Sequence, residues 1–153
     1  MKIEFRHLLI VIMLVSCSSS VGDTFNSQQL VSSRGEKIYI NSLNWGMTDD
    51  NQMSIVTSDS DRLKERTDTL GAVFGLEPFI YSFEKDTLRL IFENRITYTV
   101  QETFETITVT YKALASSDFA NIRTRAYNND GFYTVPRRKE KNYPSNRPKP
   151  PAQ

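Results

Sequence analysis

Two acidic clusters and one glutamate are the groups in this chain best suited to chemistry. Asp49-Asp50-Asn51 and Asp59-Ser60-Asp61 each place carboxylates close enough to share a hard cation such as calcium. Glu77 lies between Leu76 and Pro78-Phe79, an apolar setting that favours a neutral carboxyl. Paired with Asp49 or Asp50, it would supply the two acids that glycoside hydrolysis requires. Trp45 with Tyr39, and the set Phe79, Tyr81 and Phe83, offer stacking surfaces for a sugar or a peptide. Each group also has a plainer reading. Asp and Asn shape hairpin tips, a glutamate at a strand entrance is ordinarily solvated, and aromatic side chains fill the core of a small β-domain. An EF-hand loop is excluded, because the sixth position counted from Asp59 is Lys64 where a glycine is required.

Catalysis is further narrowed by what lies beyond residue 17. The only histidine is His7 and the only cysteine is Cys17. Residues 18–153 therefore contain no Ser-His-Asp triad, Cys-His dyad or histidine- or thiolate-bound zinc. G-x-S-x-G, Walker, G-x-G-x-x-G and H-E-x-x-H patterns are missing. Gly71 and Gly75 bracket Ala72-Val73-Phe74 without the Lys-Ser/Thr of a phosphate loop. No cofactor is expected, and a non-catalytic module is the expected class.

The first seventeen residues carry the strongest signal. Lys2 and Arg6 precede Leu8–Val15, eight residues without a polar side chain, and Leu14-Val15-Ser16-Cys17 closes the segment. A basic start, a short apolar run and small residues at a cut point are the parts of a secretion signal. A spanning helix needs about 20 apolar residues, more than twice this run. An ordinary signal with an incidental cysteine would leave an unpaired thiol in an oxidising compartment. The Leu-x-Ser-Cys ending resembles the lipobox of bacterial lipoproteins. The resemblance implies cleavage between Ser16 and Cys17, acylation of the Cys17 sulfur, and attachment to the bilayer by two or more chains, which holds a protein stably. The residues after the cysteine are Ser18-Ser19-Ser20. They lack the aspartate associated with inner-membrane retention, and Asp23 stands alone, so the resemblance implies an outer-membrane anchor facing the periplasm. Beyond the signal, the body resembles only small envelope lipoproteins, which lend it no function.

Removing residues 1–16 leaves 137, enough for one domain. Residues 17–34 are rich in Ser, Gln and Asn and read as a lipidated flexible tether spanning roughly 20–25 Å, although Leu30-Val31 would also suit a first short strand. Residues 136–153 hold five prolines, and six basic residues against Glu140 give a net +5. With so little to bury, this tail is expected to be disordered. The chain totals +1, so residues 17–135 carry −5. The basic tail suits anionic lipid headgroups or an acidic envelope protein, and no nucleic acid is expected as a partner of an exported chain.

The elements that must position these groups are strands. From Gly35 to Val135 the apolar period is two: Lys37–Leu43, Gln52–Thr57, Phe79–Phe83, Thr87–Glu93, Ile96–Gln101 and Thr106–Tyr111. Lys85-Asp86 makes a tight turn between two of them. Alternation with one wet face predicts a mainly β domain over residues 35–135, a small antiparallel β-sandwich or partly closed barrel. Phe119, Ile122 and Ala126 fit a short helix near 117–128, capped by Ser117 or Asp118 and stopped at Asn128-Asn129-Asp130-Gly131; an edge strand is the other reading. Phe132–Val135 would return as a last strand.

Two functions from different classes follow. The first is a membrane-anchored, non-catalytic binding module that contacts an envelope partner through Trp45–Asn51 or Asp59–Thr69, helped by the tail. The second is a calcium-dependent glycan binder or carboxylate-only hydrolase using Glu77, Asp49/Asp50 and Asp59/Asp61.

Overall fold

A computed structural model describes residues 22–46 and 48–138. Cys17, the expected signal segment and the tail from residue 139 lie outside the described residues. The chain forms seven strands and one helix: β1 (Thr24–Val31), β2 (Lys37–Trp45), β3 (Asn51–Thr57), β4 (Val73–Phe74), β5 (Ile80–Glu84), β6 (Thr87–Glu93), β7 (Thr108–Leu114) and α1 (Ser116–Tyr127). Strands β1-β2-β3-β4 make one sheet and β5-β6-β7 a second, and together they form a small β-sandwich.

Alternation along β2 and β3 sends side chains to two apolar layers. Ile38, Ile40 and Val56 face the second sheet and meet Phe79, Tyr81, Leu88, Leu90 and Phe92 in the main core. Leu43, Met53 and Ile55 point the other way and are covered by Leu63 from the 58–72 loop. The outer face of the second sheet is closed by the helix, whose Phe119 and Ala126 pack on Ile80 and Ile91. Both faces of each sheet are thus covered, which explains why β2 and β3 are buried almost continuously.

The β5–β6 turn follows the sequence. Lys85 and Asp86 have φ of 48° and 58°, the pair of positive values that a two-residue hairpin turn of the strand-matching hand requires. The helix is also present over 116–127, and Asn129 and Gly131 adopt positive φ beyond it. Its cap differs from expectation: the N-cap is Ala115, without a side-chain hydrogen bond, and Ser117 and Asp118 lie in the first turn, where an acid complements the helix dipole.

Five expectations are corrected. Residues 24–31, assigned to the tether, form an eight-residue edge strand paired with β2 along its whole length. Its few apolar residues suffice because Phe25 packs on the Leu43 layer and Leu30 on the main core. The sheets are not wholly antiparallel, since β7 runs parallel to β6. Such a pair needs a crossover of a dozen or more residues, and residues 94–107 provide it. That crossover replaces the strand expected over Ile96–Gln101. Tyr98 inserts, stacking on Phe79 at 5.5 Å, and its hydroxyl accepts the Val56 N–H at 3.0 Å; Ile107 is buried with it and Val100 and Phe104 pack alongside, while Ile96 stays 47% exposed. The final strand shrinks to one bridge between Tyr133 and Tyr81. The tail expected to be disordered from Pro136 begins with ordered residues: Asn129 donates to the Arg138 carbonyl and accepts from the Arg137 guanidinium, at 3.2 and 3.1 Å.

Candidate functional site

At one end of the sandwich, where β3 begins and β6 ends, a cleft of about 940 Å³ opens between the 74–78 loop, the helix and the segment 136–138. Phe119, Arg123 and Tyr127, spaced by four residues on one helical stripe, form one wall. Phe74 and Leu76 form the opposite lip and are 62% and 57% exposed. Arg95, at the start of the crossover, and Arg137 and Arg138, from the root of the tail, contribute positive charge, against Glu77 and Glu93.

Glu77 is the hub of this site. Its Oε1 accepts from Arg138 Nη2 at 2.9 Å and its Oε2 from the Tyr127 hydroxyl at 3.0 Å. The same hydroxyl accepts from Arg123 Nε at 2.7 Å, which holds that guanidinium still more firmly protonated. The Arg138 guanidinium also lies 3.7 Å from the centre of the Tyr127 ring. A carboxylate engaged on both oxygens by a cation and a phenol is a tie between the 74–78 loop, the helix and the tail root. Its geometry is that of a brace, with the arginines and aromatic rings as the accessible groups.

The remaining residues singled out by sequence have separate partners. Trp45 sits half-buried at the end of β2 against the Leu43 layer, with the Arg66 guanidinium 5.4 Å from its ring centre. Arg66 is fixed by a two-pronged contact with Asp23, and these hydrogen bonds hold the Asp23 carboxyl below its usual range. Asp49 takes positive φ in the β2–β3 turn and accepts from the Thr24 hydroxyl at 3.2 Å. Asp50 accepts from the Asn51 side chain at 3.1 Å and lies over Gly46, whose φ of 104° favours glycine. Asp59 accepts from the Asp61 N–H at 2.9 Å and Asp61 pairs with Lys64 at 3.2 Å. These are turn-shaping roles. Among the described residues no group of three or more metal-ligating side chains converges. Tyr39 does not join Trp45 in a platform, because Asn41 and Leu43 lie between them on the same face of β2. Phe79 and Tyr81 belong to the main core, with Phe83 packed against it.

Sequence reading missed Arg95, Arg123 and Tyr127, and placed Arg137 and Arg138 only in the basic tail. The helical spacing of Phe119, Arg123 and Tyr127 was available as a signal. The meeting of that stripe with residues 74–78 and 136–138 depends on chain folding and left no trace in local pattern. Among the described residues no helix is long and apolar enough to cross a membrane. Comparison with family models, with curated proteins and with solved structures gives no match for the chain.

Proposed function

We propose that this protein is a membrane-anchored envelope lipoprotein whose β-sandwich is a non-catalytic binding module. The anchor is acylated Cys17, exposed by cleavage after Ser16, on the periplasmic face of the outer membrane. The observation that carries the binding reading is the cleft, where exposed Phe74 and Leu76 stand opposite a wall and root rich in arginine. Apolar and cationic groups on one concavity suit a ligand that is itself apolar and anionic. The engagement of Glu77 by Arg138 and Tyr127 favours this over a glycan hydrolase, as does the use of Asp49 and Asp50 within their own turn. The test is photocrosslinking in intact cells from a reactive group placed at Phe74, with Arg123→Glu/Arg137→Glu beside it. The binding reading expects an adduct lost in the double variant. An adduct of equal yield in both would contradict it, as would hydrolysis of a glycan that Glu77→Gln abolishes.

A further inference from the structure

We infer that the cleft faces the bilayer that anchors the chain, and that anionic phospholipid headgroups occupy its arginine rim. This rests on the lipoprotein reading above and adds an orientation and a ligand to it.

The strand register fixes the geometry. Thr24 pairs with Asn44, and Asn44 pairs with Gln52. Gly75 N–H donates to the Gln52 carbonyl at 2.9 Å, and the Gln52 side chain donates to the Val135 carbonyl at 2.9 Å. The residue where the body meets the anchoring segment and the residues at the cleft mouth therefore share one transverse row. At about 4.8 Å per strand, that row places them roughly 15 Å apart. Only residues 18–23 separate Cys17 from Thr24, and fully extended chain covers at most about 25 Å over that distance. β2, with nine residues, is itself about 30 Å long, so the Ser33 and Asp86 turns lie at the far end. A short lead attached to the cleft end presents that end to the membrane.

Charge selects the ligand. Among the described residues Arg95, Arg123 and Arg137 have no carboxylate within salt-bridge distance, and only Arg138 is paired, with Glu77. The chain leaving Arg138 continues with Lys139, Lys141, Arg147 and Lys149 against a single Glu140. Guanidinium groups bind phosphate oxygens in a two-pronged fashion, and basic residues near an anionic leaflet are drawn to it. Phe74 and Leu76, exposed on the facing lip of the same cleft, supply the apolar contact that headgroup-level insertion uses. The acidic body, net −5 over 17–135, would be repelled from the same surface in the opposite orientation.

The experiment uses full-chain protein extracted from membranes with its native N-terminus. It is reconstituted into vesicles of phosphatidylcholine alone or of phosphatidylcholine with phosphatidylglycerol, and amide hydrogen exchange is followed at residues 74–77 and 119–127. Slower exchange on anionic vesicles, by about fivefold for each arginine engaged, is expected. High salt should erase it, as should Arg95→Glu/Arg137→Glu. Equal exchange on both vesicles would overturn the inference while leaving the anchor intact. Protection seen only in native membranes that retain their proteins would overturn it in favour of a protein ligand. Recovered chain that lacks an acyl group and enters neither vesicle would remove the anchor, and the inference with it.

Discussion

Thr106 donates its backbone N–H to the carboxylate of Glu36, seventy residues earlier, at 2.6 Å. The N–H groups of Glu105 and Ile107 and the Thr106 hydroxyl converge on the same carboxylate. One side chain in the β1–β2 turn thus receives the end of the crossover just before β7 begins, fixing the start of the parallel strand.

Those hydrogen bonds, led by the Thr106 hydroxyl, hold the Glu36 carboxyl below its usual 4.5. Asp86 is lowered likewise by the Ser33 hydroxyl and N–H. For Glu102, burial works in the opposite direction, but donors from Thr57 and Ser58 outweigh it. A carboxyl depressed in the folded state stabilises the fold above its unfolded value and loses that contribution as pH falls through the folded value. The melting temperature should accordingly drop on acidification below the ordinary carboxylate range. Glu36→Gln should lower it near neutrality and shallow its acid dependence. Scanning calorimetry of both proteins from neutral to acid pH checks this; parallel curves would contradict it.

Tyr98 makes a second prediction. Burial pushes its phenol up to about 12, against a smaller downward effect from the Val56 N–H it accepts. A phenol raised in the folded state stabilises below its unfolded value of 10.0 and loses that contribution as pH climbs towards the folded value. Tyr98→Phe leaves the Val56 N–H unpaired in the core and should cost about 1–3 kcal/mol at neutral pH. Its alkaline loss of stability should also be smaller than that of the wild type. Urea denaturation at neutral and alkaline pH reads both effects.

Which elements were visible in advance follows from what each depends on. The β5–β6 hairpin was legible because Phe79, Tyr81 and Phe83, and Leu88, Leu90 and Phe92, alternate on either side of Lys85-Asp86, and all of that is local. The helix was legible from Phe119, Ile122 and Ala126. β1 was obscured because an edge strand needs apolar residues only at Phe25 and Leu30, too few to stand out among Ser, Asn and Gln. The parallel β7 and the irregular crossover were obscured because the Ile96-Tyr98-Val100 alternation matches a strand, while only Tyr98 among them is buried. The cleft joins residues from near 75, 95, 123 and 137, and no local pattern reports such a meeting. Glu77 was noticed for its apolar neighbours, yet its role is set by Arg138 and Tyr127, which lie fifty or more positions away.

Phe119 anchors the helix to the second sheet against Ile80 and Ile91. Phe119→Ala should destabilise the protein by about 3–5 kcal/mol. Because the same residue lines the cleft, exchange protection of 116–127 should fall more than that of β2 and β3. Uniform loss across all elements would show that the helix does not open separately.

Glu77 separates the brace from a catalytic acid. Its pairing with Arg138 is half-exposed on the arginine side, so Glu77→Gln should cost only about 0.2–1 kcal/mol. Freeing Arg138 should strengthen binding of anionic ligands in the cleft. Chemical denaturation with vesicle cosedimentation measures both. Weakened binding would mean that Glu77 faces the ligand instead of restraining the arginine.

The proposed anchor underlies the whole account, and the mass of the N-terminal fragment from membrane-extracted protein tests it most directly, with Cys17→Ala alongside. The account predicts a fragment beginning at Cys17 with an added diacylglyceryl group, and no such species in the variant. A fragment beginning at Met1, or an unmodified Cys17, would contradict it.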